Sequence, residues 1–160
     1  MKKIILFSFL FLNAWFSFAQ KQMPNVNLVN DNNQTVNVKN DFNEKDKLYV
    51  FAFWATWCAP CLNELDAINE LYDTWKTELS MELVAVSIDD TRTQKRVKPL
   101  LNGKKWTYTI LLDTNQDLKR ALSIANVPYT IVVKNQKIVY IHNGYSQGAE
   151  IELYNKLKEL

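Results

Sequence analysis

The sequence predicts an α/β fold: a mixed central sheet flanked by helices, with an N-terminal β-hairpin and one inserted helix. Three observations predict it. Leu48–Trp54 is an unbroken apolar run, too short for a helix and rich in aromatics, which is the pattern of a strand buried on both faces. Residues 83–88 repeat that pattern. Between the two runs, Leu62, Leu65, Ile68, Leu71, Trp75 and Leu79 recur at spacings of three and four, so residues 59–79 read as a helix. Strands that alternate with helices build a sheet covered by helical layers.

The remaining elements follow in chain order. Met1, Lys2 and Lys3 form a short positive region, residues 4–12 an apolar one broken only by Ser8, and Ser17 and Ala19 place small residues before Gln20. That is the pattern of a secretory leader over residues 1–19, leaving a domain of residues 20–160. The apolar stretch carries Asn13 and falls short of the ~20 residues a bilayer-spanning helix needs, so cleavage is favoured over a retained anchor. Val26 and Leu28, then Val36 and Val38, alternate around Asp31-Asn32-Asn33 and predict a hairpin. Residues 91–102 read as a basic helix stopped near Gly103. Residues 107–112 read as a strand and 115–124 as a short helix. Residues 129–133 and 138–142 read as a terminal hairpin that adds an antiparallel edge. Residues 147–160 close the chain as a helix with Ile151, Tyr154, Leu157 and Leu160 on one face.

A chain of 160 residues suits one domain and buries a core without disulfide staples. Its two Cys and one His cannot supply the four ligands of a structural zinc site. The formal charge of +2 comes from Lys2 and Lys3 in the leader. Without them the basic count is 19 − 2 = 17 against 17 acidic residues, so no nucleic-acid partner is indicated. No metal or organic cofactor is implied.

The chemistry sits at Trp57-Cys58-Ala59-Pro60-Cys61. Both cysteines of the chain lie here, just after a buried strand and at the start of a helix. A helix N-terminus carries partial positive charge and unpaired N–H groups, which favour a thiolate and should lower the Cys58 pKa. Pro60 fits the first turn, where its missing N–H is harmless. Cys58 is then the exposed attacker, and Cys61, inside the helix, resolves the mixed disulfide. Other readings are weaker. Half a metal site lacks its other ligands, haem attachment needs His where Leu62 stands, and a structural disulfide closing so small a loop restrains the unfolded chain little.

Phe53-Trp54-Ala55-Thr56-Trp57-Cys58-Ala59-Pro60-Cys61 resembles the active-site segment of the thioredoxin superfamily. With the leader, the hairpin and the inserted helix, the chain most resembles the TlpA-like and ResA-like extracytoplasmic thiol-disulfide reductases, over nearly all of its mature length. Asn126-Val127-Pro128-Tyr129-Thr130 is similar to the second shared element, a cis-proline facing the Cys pair. The resemblance implies that Pro128 is cis and that Val127 offers backbone groups to an extended substrate. Trp57 and Pro60 join them as substrate-binding residues, Trp57 as part of an apolar docking surface. Cys58–Cys61 would be a redox-active disulfide. Protein thiols and disulfides are the implied substrates, apocytochrome among them, and a membrane-bound protein the implied electron donor.

The departures are informative. Cytosolic thioredoxins pair a buried Asp six residues before the first Cys with a Lys on the next strand, and Ala52 and Ala85 stand at those places. ResA-like proteins instead carry a Glu three residues after the second Cys, and Glu64 occupies that position. Three helical residues put Glu64 beside Cys61 on a neighbouring face, where a carboxylate can take the Cys61 proton; a solvated helix Glu is the plain alternative. His142 reads as a lone edge-strand histidine. Arg92, Lys95, Arg96, Lys98, Lys104 and Lys105 form a basic run, most simply a solvated face. Two rival classes stay open: a thiol peroxidase of the same fold, which would want Thr where Ala55 stands, and a copper-carrying binding module using both sulfurs and His142.

Overall fold

The structure is a computed structural model that describes residues 21–160. The leader read from residues 1–19 lies outside the described residues. Seven strands form one sheet in the order β2-β1-β5-β4-β3-β6-β7. They are β1 (Asn27–Asn30), β2 (Thr35–Asn37), β3 (Leu48–Trp54), β4 (Met81–Ser87), β5 (Thr109–Leu112), β6 (Tyr129–Lys134) and β7 (Lys137–Asn143). Four helices flank it: α1 (Ala59–Glu78), α2 (Val97–Gly103), α3 (Asp117–Ala121) and α4 (Ala149–Glu159).

The sheet is mixed, as the pattern predicts. β3, β4 and β5 run parallel, joined by helical crossovers, while β6 and β7 add antiparallel pairs on the far side of β3. Every residue of β3 is buried, which is why its sequence shows no alternation. The turn between β6 and β7 is two residues, Asn135 and Gln136, both with positive φ, as a tight hairpin turn requires. The N-terminal hairpin is not an appendage: β1 pairs antiparallel with β5 and extends the sheet.

Two helical predictions need correction. Residues 91–102 do not form one helix. Thr93 and Gln94 bond back to the Asp90 carbonyl in a turn, Gln94–Arg96 is a 3₁₀ segment, and α2 starts only at Val97. Pro99 is the reason: it cannot donate to a carbonyl one turn back, so the α-helix begins where Pro99 falls in its first turn. In α4, Ile151 is 48% exposed, and the buried stripe is Ala149, Leu153 and Leu157. Spacings of four from the small Ala149 set the packed face, and Tyr154 stacks on Trp75 of α1 at its edge.

The inward stripe of α1 is Cys61, Glu64, Leu65, Ile68, Tyr72 and Trp75, with Leu62 and Leu71 only partly covered. A carboxylate therefore sits within the apolar face of α1.

Candidate active site

The loop that ends β3 delivers Cys58 to the start of α1. Cys58 is the N-cap, in extended conformation, and its carbonyl accepts the first helical bond from Leu62. No side chain caps this end, and no acid lies in the first turn. The leading N–H groups of α1 are therefore left without a side-chain cap beside the Cys pair. Pro60 occupies the first turn. Cys58 and Cys61 are joined in a disulfide, with Cα atoms 5.3 Å apart. Cys58 is less exposed than its sequence position suggests: 5% against 0% for Cys61. The surface around the sulfurs is carried instead by Trp57, 58% exposed, and by Ala59 and Pro60. Trp54 is fully buried and packs edge-on against Trp106.

The Val127–Pro128 peptide is cis. Tyr129 pairs with Phe53, so Pro128 lies one step beyond, at the end of the sheet from which the Cys loop leaves. Val127 is half-buried and Pro128 buried. The structure thus brings Trp57, Cys58, Pro60, Cys61, Val127 and Pro128 to one end of β3 and β6.

Behind the disulfide lies a row of small side chains. Ala85 on β4, Ala52 on β3 and Thr130 on β6 are in register across three neighbouring strands, and His142 on β7 continues the row. Residues in register share a sheet face. Glu64 comes down onto this row from α1, 3% exposed, and Thr130 Oγ1 donates a hydrogen bond to its Oε1 at 3.1 Å. The solvated alternative is therefore excluded. Burial drives the Glu64 pKa up to about 7; the Thr130 bond opposes that shift, and the nearby Glu150 carboxylate adds to it. Tyr145 donates to Glu150 at 2.8 Å, and burial with that bond pushes its phenol to about 12. An open cleft of about 520 Å³ beside Pro60 is lined by Asp66, Glu70, Tyr145 and Glu150 among others.

Three site features were not read from the sequence. Asp89, 2% exposed, accepts from Thr56 N at 2.8 Å, Thr56 Oγ1 at 2.7 Å and Ser87 Oγ at 2.9 Å, and so fixes the loop two residues before Cys58. Thr130 was noted only as part of the proline segment. Glu150 lies in the closing helix, and nothing in the sequence links it to Glu64. The signal for Asp89 was an acid directly following a buried strand; nothing in the sequence links it to Thr56. The basic run is partly neutralised, with Arg92 on Asp90 at 2.8 Å and Lys104 on Asp66 at 2.5 Å. Asp66 also accepts from Trp106 Nε1 at 2.9 Å.

A family model described as AhpC/TSA matches residues 19–141. The chain belongs to the AhpC/TSA family. Among curated members it is similar to the thiol-disulfide oxidoreductase ResA of Bacillus thuringiensis subsp. konkukian, 26% identical over 137 residues that cover 85% of this chain and 76% of that one. It is also 28% identical over 134 residues to the sporulation thiol-disulfide oxidoreductase A of Bacillus subtilis, covering 79% of this chain and 78% of the relative. Among solved structures, an uncharacterized thioredoxin-like protein from Porphyromonas gingivalis is 44% identical with a TM-score of 0.75, covering 86% of this chain and 90% of that one. StoA from Bacillus subtilis, 22% identical with a TM-score of 0.65, covers 82% and 99% and attests the fold. The AhpC/TSA fold seen here is thus thioredoxin-like, as the active-site segment suggested.

Proposed function

We propose that this thiol–disulfide oxidoreductase works outside the cytosol as a reductant of protein disulfides. The observation that carries the reading is the Cys58–Cys61 disulfide at the bare N-terminus of α1, with a buried carboxyl one turn further along the same helix. In the reduced protein the Cys58 thiolate attacks a sulfur of the partner's disulfide. One partner sulfur leaves as a thiolate, and a Cys58–partner mixed disulfide remains. Cys61 then loses its proton to Glu64, attacks Cys58 Sγ and releases the second partner thiolate. The partner gains two electrons, and the chain ends in the disulfide state of the structure. A membrane-bound dithiol protein restores the reduced pair. Val127 and Pro128 present backbone to an extended substrate segment, while Trp57 and Pro60 supply apolar contact.

A leader over residues 1–19 and a single domain over residues 20–160 belong to the same proposal. A site outside the cytosol, where thiols are open to oxidation, is where a dedicated reductant is needed. Apocytochrome disulfides are one substrate class of this kind. The peroxidase alternative has Ala55, fully buried, where a hydroxyl would be wanted. The copper-carrier alternative has only His142 to add to the sulfurs, half-buried on an edge strand.

The deciding experiment is the reduction potential of the Cys pair, equilibrated against dithiothreitol and glutathione buffers with Trp fluorescence as the readout. A value near about −270 mV is expected of a reductant, whereas about −120 mV would identify an oxidant and overturn the direction proposed here. Glu64→Gln tests the proton step: resolution should slow with the fold intact, and unchanged kinetics over roughly pH 5 to 9 would remove Glu64 from the mechanism.

A further inference from the structure

We propose that Thr130 is a positioning residue for disulfide resolution: its hydroxyl fixes one oxygen of the Glu64 carboxylate that takes the Cys61 proton. The proposal rests on Glu64 acting as the proton acceptor. Thr130 is fully buried, in a strand whose following residues are Ile131, Val132 and Val133. A valine would suit such a place better, because burying a hydroxyl is costly unless it is bonded. The bond that satisfies it is the one to Glu64 Oε1. Thr130 is also the only side-chain donor to Glu64 among the described residues. Ala52 and Ala85, in register on the neighbouring strands, carry only methyl groups and offer none.

The other groups around Glu64 work against its charge or are spoken for. Glu150, on α4, repels it. Tyr145 is bonded to Glu150, and Tyr108, which donates to the Leu65 carbonyl, is held above its ordinary range by burial and by Asp66 and Glu64 nearby. His142 stands opposite Thr130 on β7. Thr130 is therefore the one local interaction that favours the carboxylate, and it opposes the upward shift of Glu64. Its place on the strand gives it a second property. It lies two residues beyond Pro128, so the segment read as the substrate contact also holds the proton acceptor.

The test follows resolution itself. Reduced protein is mixed with a small aromatic disulfide, and release of the second aromatic thiolate is recorded by stopped flow over roughly pH 5 to 9. Wild type should show a midpoint near 7. Thr130→Val should move it up by about one pH unit, the loss expected for one hydrogen bond to a charged group, and Thr130→Ser should return it. Thr130→Ala takes the place of the valine variant if that one fails to fold. His142→Asn should leave the midpoint where it is. A folded variant lacking the hydroxyl that follows the wild-type profile overturns the proposal, and so does a midpoint that moves with His142. Glu64→Gln separates the two readings. A flat profile there with an unmoved Thr130→Val midpoint defeats only Thr130, whereas a wild-type profile in Glu64→Gln defeats the acceptor itself.

Discussion

Two buried carboxyls flank the disulfide, and they are held differently. Asp89, two residues past β4, receives one backbone and two hydroxyl donors, from Thr56 in the Cys loop and Ser87 at the end of β4. Glu64, on α1, receives one hydroxyl and faces another carboxylate. Burial is nearly equal, 2% and 3% exposed. The number of donors is what differs. A carboxylate with several donors serves as a clamp; one with a single donor, pushed to about 7, lies where a proton can come and go at working pH.

Removing Asp89 should have the largest effect on the fold. Asp89→Ala leaves Thr56 N and two hydroxyls unpaired and should destabilise the oxidised protein by about 3–4 kcal/mol, read by chemical denaturation. A loss below about 1 kcal/mol would mean that Asp89 is no clamp and that the contrast with Glu64 is false. Glu64→Gln should do the reverse. Resolution slows about 100-fold, the low end for a lost acid–base group, with little loss of stability at neutral pH.

Stability against pH sharpens the same contrast. The Glu64 pKa is near 4.5 unfolded and about 7 folded, so between these values the folded chain holds a proton that the unfolded chain releases. The stability from this group is full below the window and is lost as pH rises through about 7, amounting to about 2 kcal/mol between roughly pH 5 and pH 8. Thermal melts of the oxidised protein should show this decline, and Glu64→Gln should remove it. The smallest effect belongs to the exposed side of the disulfide. Trp57→Ala should raise KM for a protein disulfide about tenfold while leaving reduction of a small disulfide within a factor of about two.

What was legible in the sequence follows from what was local. β3 announces itself because all its neighbours are apolar layers, so its apolar run needs no partner to be recognised. The Cys pair, Pro60 and the position of Glu64 are set by spacing along one helix. The face of α4 was misread because Ile151, Tyr154 and Leu157 satisfy helical spacing as well as Ala149, Leu153 and Leu157 do; only packing against α1 chooses between them. The Asp89 clamp was hidden because its partner Thr56 lies 33 residues away in the chain. The Glu64–Thr130 contact spans 66 residues, and no periodicity records that.

The pairing of β1 with β5 sets a timetable. Val29 meets Leu112, and 112 − 29 = 83 residues of chain must be made in between. The first strand is therefore without this neighbour until 83 further residues have emerged. During that interval it has only β2, and an isolated two-stranded hairpin is barely stable in water. Its edge must stay dissolved without sticking to other nascent chains. Asn27, Asn30 and Asn37 supply that tolerance, with the Asn37 amide tied to Asn25 and Asn27 at 2.7 and 2.6 Å. The asparagine-rich opening of the domain is thus a waiting room for the strand made earliest and seated late.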